Sequence, residues 1–159
     1  MLRHGRSKSI PGRAAVSQTL WALNGLPEDG ARDLEQWLDT LRELPLEEWI
    51  HIGERCASHE HASLAAMRAC ARLERAIAEH ELDVTGWLVR DLVETATYHV
   101  RREMSHQPRR VRHQLVAARR AAEWAALAMA CGAWLQPEDH NLLRAPFAPP
   151  SRARDSATA

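Results

Sequence analysis

PRRVRHQLVAARRAAEWAALAMACGAWL, running from Pro108 to Leu135, reads as one long helix whose surface chemistry changes halfway along. Val111, Leu115, Ala118, Ala122, Ala125 and Met129 recur at helical spacing and so fall on one line. The second half adds Trp124, Leu127, Cys131 and Trp134 on a different face. A helix that is apolar on two faces is surrounded by protein, either its own or a second subunit. The first half is cationic: from Arg101 to Arg120 there are seven arginines against a single acid, Glu103, whereas Glu123 is the only charge between Ala121 and Leu135. The dry half therefore marks the core, and the wet half a face for a partner.

The pattern continues on either side. Proline at positions 11, 27, 45, 108, 137, 146, 149 and 150 divides the chain into helix-sized pieces, and the alternation that a half-buried strand requires is missing. A short helix is predicted over Arg13–Leu23, ended by Asn24 and Gly25. After Pro27, the stripe Leu34, Trp37, Leu38, Leu41 and Leu44 predicts a helix that leaves Asp33, Glu35, Asp39 and Glu43 in water. Pro45 restarts the chain, because the first helical position needs no backbone donor, and Leu46, Trp49, Gly53 and Cys56 then share a side. Ala66, Cys70, Leu73 and Ile77 face inward over Ala62–Glu79. One helix is predicted over Val84–Met104, with Val89, Val93, Ala96, Val100 and Met104 inward and Arg90, Glu94, Thr97 and Arg101 outward. Pro137, Glu138 and Asp139 open a last short helix ending near Arg144.

These segments predict an all-α, single-domain bundle of about five helices with the long C-terminal helix at its centre. The expected organisation is a basic flexible arm over 1–12, a bundle domain over 13–144, and a proline-rich, polar, disordered tail over 145–159. A chain of 159 residues can bury roughly two thirds of the surface it exposes when unfolded, so it needs no disulfide or metal to hold it. Cys56, Cys70 and Cys131 are odd in number and widely spaced, which suits reduced thiols in the cytoplasm. The amino terminus lacks the apolar run of a secretory signal, although its acid-free, arginine- and serine-containing composition up to Leu26 also fits an organelle transit peptide. Ala121–Leu135 falls short of the ~20 apolar residues that span a bilayer. The six tryptophans sit at helical spacing among apolar neighbours, which assigns them to the core.

Net charge is zero, yet the charges are segregated. Eight acids and two arginines lie between Glu28 and Glu48, opposite in sign to the Arg101–Arg120 block. The two regions either face each other or present opposite faces to partners. Within the basic block, Arg109, Arg110, Arg112, His113, Arg119 and Arg120 are the expected partner-binding residues. They suit an acidic protein partner, or alternatively nucleic-acid phosphates. Tyr98 is the only nearby ring, whereas base stacking normally uses several.

Two arrangements suggest chemistry. RREMSH, Arg101 to His106, places four residues between an arginine and a histidine, and in an all-helical chain this resembles the motif of the HEPN ribonucleases. The resemblance covers these six residues. It implies that Arg101 stabilises phosphate charge and that His106 acts as general acid or base, at a cleft shared by two subunits. Arg75 with His80, and Arg55 with His61, show a similar spacing. Glu48 with His51, and Glu103 with His106, each place a carboxylate and an imidazole on one helix face, as metal-binding helical bundles do. The candidate glutamates for the two remaining helices, Glu74, Glu94 and Glu123, face outward or sit beside polar neighbours. His59, Glu60 and His61 form a polar knot without a second cluster at zinc spacing. No glycine-rich phosphate loop and no GxSxG elbow occurs, so no cofactor is expected. The preferred reading is a non-catalytic, self-associating helical interaction module.

Overall fold

The computed structural model describes residues 28–57 and 60–147. The amino-terminal arm, the helix expected over Arg13–Leu23 and the chain beyond Phe147 lie outside the described residues, as do the side chains of the His59–His61 knot. The described chain forms an all-α bundle of seven helices: α1 (Glu28–Glu43), α2 (Leu46–Ala57), α3 (Glu60–Glu79), α4 (Asp83–Ala96), α5 (Tyr98–Met104), α6 (Arg109–Ala130) and α7 (Pro137–Arg144). Short 3-10 turns follow α6 and α7, at Gly132–Trp134 and Ala145–Phe147. Among the described residues no strand occurs, and no helix is long and apolar enough to cross a membrane.

Helix α6 is the axis, packed against all six other helices. Leu115, Ala118, Ala122, Ala125, Ala126, Leu127, Ala128, Ala130 and Cys131 are fully buried. The alanines let neighbouring helices come close, and the closest approach is at Gly53 of α2, which meets the backbone of Gln114. Leu34, Leu38 and Leu41 of α1, Trp49 and Ile52 of α2, Leu73 and Ile77 of α3, and Val89, Val93 and Val100 complete one core. The buried residues of the apolar half of α6 are thus covered by the chain's own helices.

Several expectations need correction. The helix expected over Val84–Met104 breaks at Thr97, which is buried rather than outward. Its hydroxyl donates to the carbonyl of Val93 at 2.8 Å, and a threonine that bonds back in this way bends a helix. Glu35 is buried, not solvated. The tryptophans divide: Trp49 is fully buried, whereas Trp87 is 67% exposed and Trp134 lies at the surface beside His80. The ordered chain also passes the expected boundary at Arg144. Phe147 stands edge-on to Trp37, with ring centroids 5.2 Å apart, and to Trp49 at 6.3 Å, while Arg55 Nε donates to the carbonyl of Pro146 at 2.8 Å. Aromatic burial and one strong donor hold a stretch that composition alone assigns to a tail.

The connections are built locally. Helix α3 ends in a Schellman turn: Leu82 N–H donates to Ile77 at 2.8 Å and Glu81 N–H to Ala78 at 3.3 Å, with Glu81 left-handed at φ 54°. At the other end of the bundle, His99 Nε2 lies 3.2 Å from the carbonyl of Leu44 and ties α5 to the end of α1.

Candidate functional site

The expected basic face does not survive as one surface. Consecutive residues on a helix point about 100° apart, and packing of α4 against α6 separates Arg119 from Arg120. Arg119 is largely buried; its Nη2 donates to Glu94 Oε1 at 2.8 Å and its Nε to Thr97 Oγ1 at 3.3 Å. It is an internal strut between α6 and α4. Arg120 is exposed and makes no ion pair or hydrogen bond among the described residues. Glu94 also receives Arg101, so one carboxylate outside the acidic Glu28–Glu48 stretch collects two arginines of the basic block.

The remaining cations gather at the amino-terminal end of α6. Arg109, Arg110, Arg112 and His113 are all exposed on its first turns, and His106 is exposed in the preceding turn. Arg112 Nη1 donates to the carbonyl of Gln107 at 2.7 Å, which fixes that side chain across the turn. Pro108 caps the helix without a side-chain hydrogen bond, and no acid occupies the first turn. The free N–H groups of a helix start carry partial positive charge, so the three arginines stand where the helix itself adds to their potential. Arg102 lies over the ring of Tyr98, 6.0 Å from its centroid, and extends the cationic surface onto α5.

Within the single chain, neither chemical motif brings its residues together among the described residues. The guanidinium of Arg101 is paired with Glu94, while His106 stands in solvent at the end of α5. Glu48 faces Arg55 at 3.6 Å, and His51 Nδ1 lies 3.1 Å from Glu54 Oε1. Glu103 is exposed. Among the described residues, no three His, Cys, Asp or Glu side chains stand together as a group able to hold a metal ion.

Sequence reasoning missed a groove between α2, α3, α6 and α7. Ala66 and Cys70, expected to face the core with Leu73 and Ile77, instead open into it; Leu73 and Ile77 are buried as expected, together with Ala69. The only advance signal was the run of small residues on α3 and α6. Cys56 and Cys70 line the groove, neither of them in a disulfide. Burial pushes the Cys70 thiol up to about 11, with Glu74 adding to the shift. Burial also raises Cys56, against the pull of Arg55. These thiols are poor nucleophiles.

Helix α7 forms one wall of the groove and is clamped to α3 by a fork: Arg72 Nη2 reaches Asp139 Oδ1 at 2.6 Å and Nε reaches Oδ2 at 2.9 Å, with the carboxylate buried. The hydrogen bonds and charge of Arg72 hold the Asp139 carboxyl below its usual range. A group whose folded pKa is lowered stabilises the fold above its unfolded value and loses that contribution as pH falls through the folded one. Unfolding midpoints in urea measured downward from pH ~4 are expected to drop less steeply in Asp139→Asn than in the parent. Equal acid limbs would show that the fork contributes nothing. Glu123, raised mainly by burial, acts in the opposite sense and is unchanged in both proteins.

No protein-family model matches the chain, and neither a curated protein nor a solved structure matches it, so the site rests on its own geometry.

Proposed function

We propose that the protein is a non-catalytic interaction module of a reducing compartment such as the cytoplasm, whose cationic end binds an acidic segment of a partner protein. One observation carries this reading: Arg109, Arg110, Arg112 and His113 are all exposed on the first turns of α6, with no acid in the first turn to neutralise them. An approaching carboxylate meets guanidinium forks and helix N–H groups together. Support for a protein rather than a nucleic acid comes from the rings: among the described residues Tyr98, under Arg102, is the exposed aromatic shown beside the cluster, and single strands are normally held by several.

The test is binding of a glutamate-rich peptide and of an RNA oligonucleotide of equal charge, each to the parent and to the double variant Arg109→Glu/Arg110→Glu. The peptide is expected to bind more tightly than the RNA and to lose about tenfold in affinity in the variant, as rim charges do when reversed. Tighter binding of RNA, with the steep salt dependence of phosphate contacts, would replace this reading with nucleic-acid binding. Cleavage of that RNA, abolished by His106→Ala, would replace it with a nuclease. Peptide binding unchanged by the double variant would remove the cationic end from the function.

A further inference from the structure

The groove between α2, α3, α6 and α7 has a volume of about 610 Å³, within the usual range of small-molecule sites, roughly 300–1,000 Å³. Alanines 117 and 121 of α6 and Cys70 of α3 lie along it, Trp124 and Leu142 flank them, and Met67, 66% exposed, stands at the rim. Among the described residues its charged lining residues are Arg55 and Arg120, and no described acid lines it. Arg55 is half-buried and fixed, with its Nε on the carbonyl of Pro146. Arg120 is exposed and, among the described residues, unpaired. Arg55 is also paired with Glu48 at 3.6 Å, so an apolar slot with the one cation of Arg120 at its edge complements a molecule with an apolar body and one anionic head.

We propose that this groove binds a long-chain carboxylate, with the alkyl chain along Ala117, Ala121 and Trp124 and the carboxylate at Arg120. This does not rest on the proposed function, which concerns the other end of α6. Charge disfavours the chain's own amino-terminal segment, which contains no acid before Glu28 and offers Arg120 nothing. An alkyl chain is thin enough to enter between alanines, and its head needs a single cation.

The experiment is calorimetric titration of the full chain with octanoate, decanoate and dodecanoate below their micellar concentrations, with dodecanol as the uncharged arm. Binding of one molecule per chain is expected, strengthening about fourfold per methylene as buried alkyl groups do. Arg120→Ala is expected to weaken dodecanoate about tenfold, the loss of one charge-assisted contact, while leaving dodecanol unaffected. Dodecanoate should also slow alkylation of Cys70 in the parent protein, a readout that needs no variant. Ala121→Trp, which fills the floor, should remove binding; if it does not fold, the Cys70 protection and the Arg120→Ala contrast decide. Dodecanol binding as tightly as dodecanoate would overturn the proposal, as would saturation failing by about 1 mM. A dimer in solution that Met67→Glu dissociates would assign the groove to a second copy of the chain instead.

Discussion

Gly53→Ala is expected to lower stability by about 3 kcal/mol and the melting temperature by roughly 10 °C, the scale of severe overpacking in a domain of this size. A Cβ at this position would lie 2.1 Å from the carbonyl oxygen of Gln114, 2.6 Å from its carbon and 2.9 Å from its Cα. All three are backbone atoms of α6, so no side chain can rotate away. Nor can α6 retreat, because Leu115 and Ala118 are fully buried against other helices. Alanine's better helix propensity returns only about 1 kcal/mol, less than the clash removes. Total stability of a domain is about 5–15 kcal/mol, so the variant keeps little margin. Gly86 supplies the internal control, since a Cβ there meets only Arg90 Nη1 at 3.8 Å and Ile77 methyls at 3.9 Å. Gly86→Ala should therefore melt at the parent temperature or above it. Thermal unfolding followed by circular dichroism compares the pair, and a Gly53→Ala protein melting with the parent would refute the close crossing of α2 and α6.

Trp49→Ala is expected to cost about 3–5 kcal/mol, the usual range for removing a large buried aromatic. Trp49 is fully buried, edge-on to Phe147 and to His99, whose ring centroid is 6.4 Å away. Its loss leaves a cavity under α2 and removes one of the two indoles that hold Phe147. The Ala145–Phe147 turn should then open, and trypsin should cut after the exposed Arg144 faster than in the parent. Trp49→Phe is the informative partner. The indole Nε1 is buried and has no hydrogen-bond partner among the described residues, so phenylalanine removes a donor whose desolvation is uncompensated. Its cost should stay near 1 kcal/mol, well below that of alanine. Denaturant midpoints separate the two, and equal losses would mean that the indole nitrogen is bonded after all.

Much of the fold was legible because helical periodicity is local. The stripe Val89, Val93, Val100 and the line Leu115, Ala118, Ala122 and Ala125 are all buried, as their spacing predicted. Gly53 could be placed on the inward side of its helix, but its need to be glycine could not, since that depends on Gln114, 61 positions later. Thr97 was misplaced for the same reason: outward by its own helix, it is covered by α6 and bonded to Arg119. The candidate site was less legible. Arg119 and Arg120 carry the same side chain at adjacent positions, and only the location of Glu94 makes one a buried strut and the other a free cation. Leu73 and Ile77 are buried as their stripe predicted, yet Ala66 and Cys70 of the same stripe line the groove, and Ala69, off the stripe, is buried.

The sequence by itself determined that the described chain is all-helical, where several of its helices begin, and that Arg109, Arg110, Arg112 and His113 of α6 face water while Ala122, Ala125 and Ala126 do not. These follow from backbone preferences and from the 3.6-residue repeat, which neighbouring residues settle among themselves. Tertiary structure alone decided that Phe147 belongs to the core, which arginines of the basic block remain free, and that four helices part to leave a groove. Ring stacking, ion pairing and unfilled volume arise between segments far apart in the chain, where no local pattern reaches.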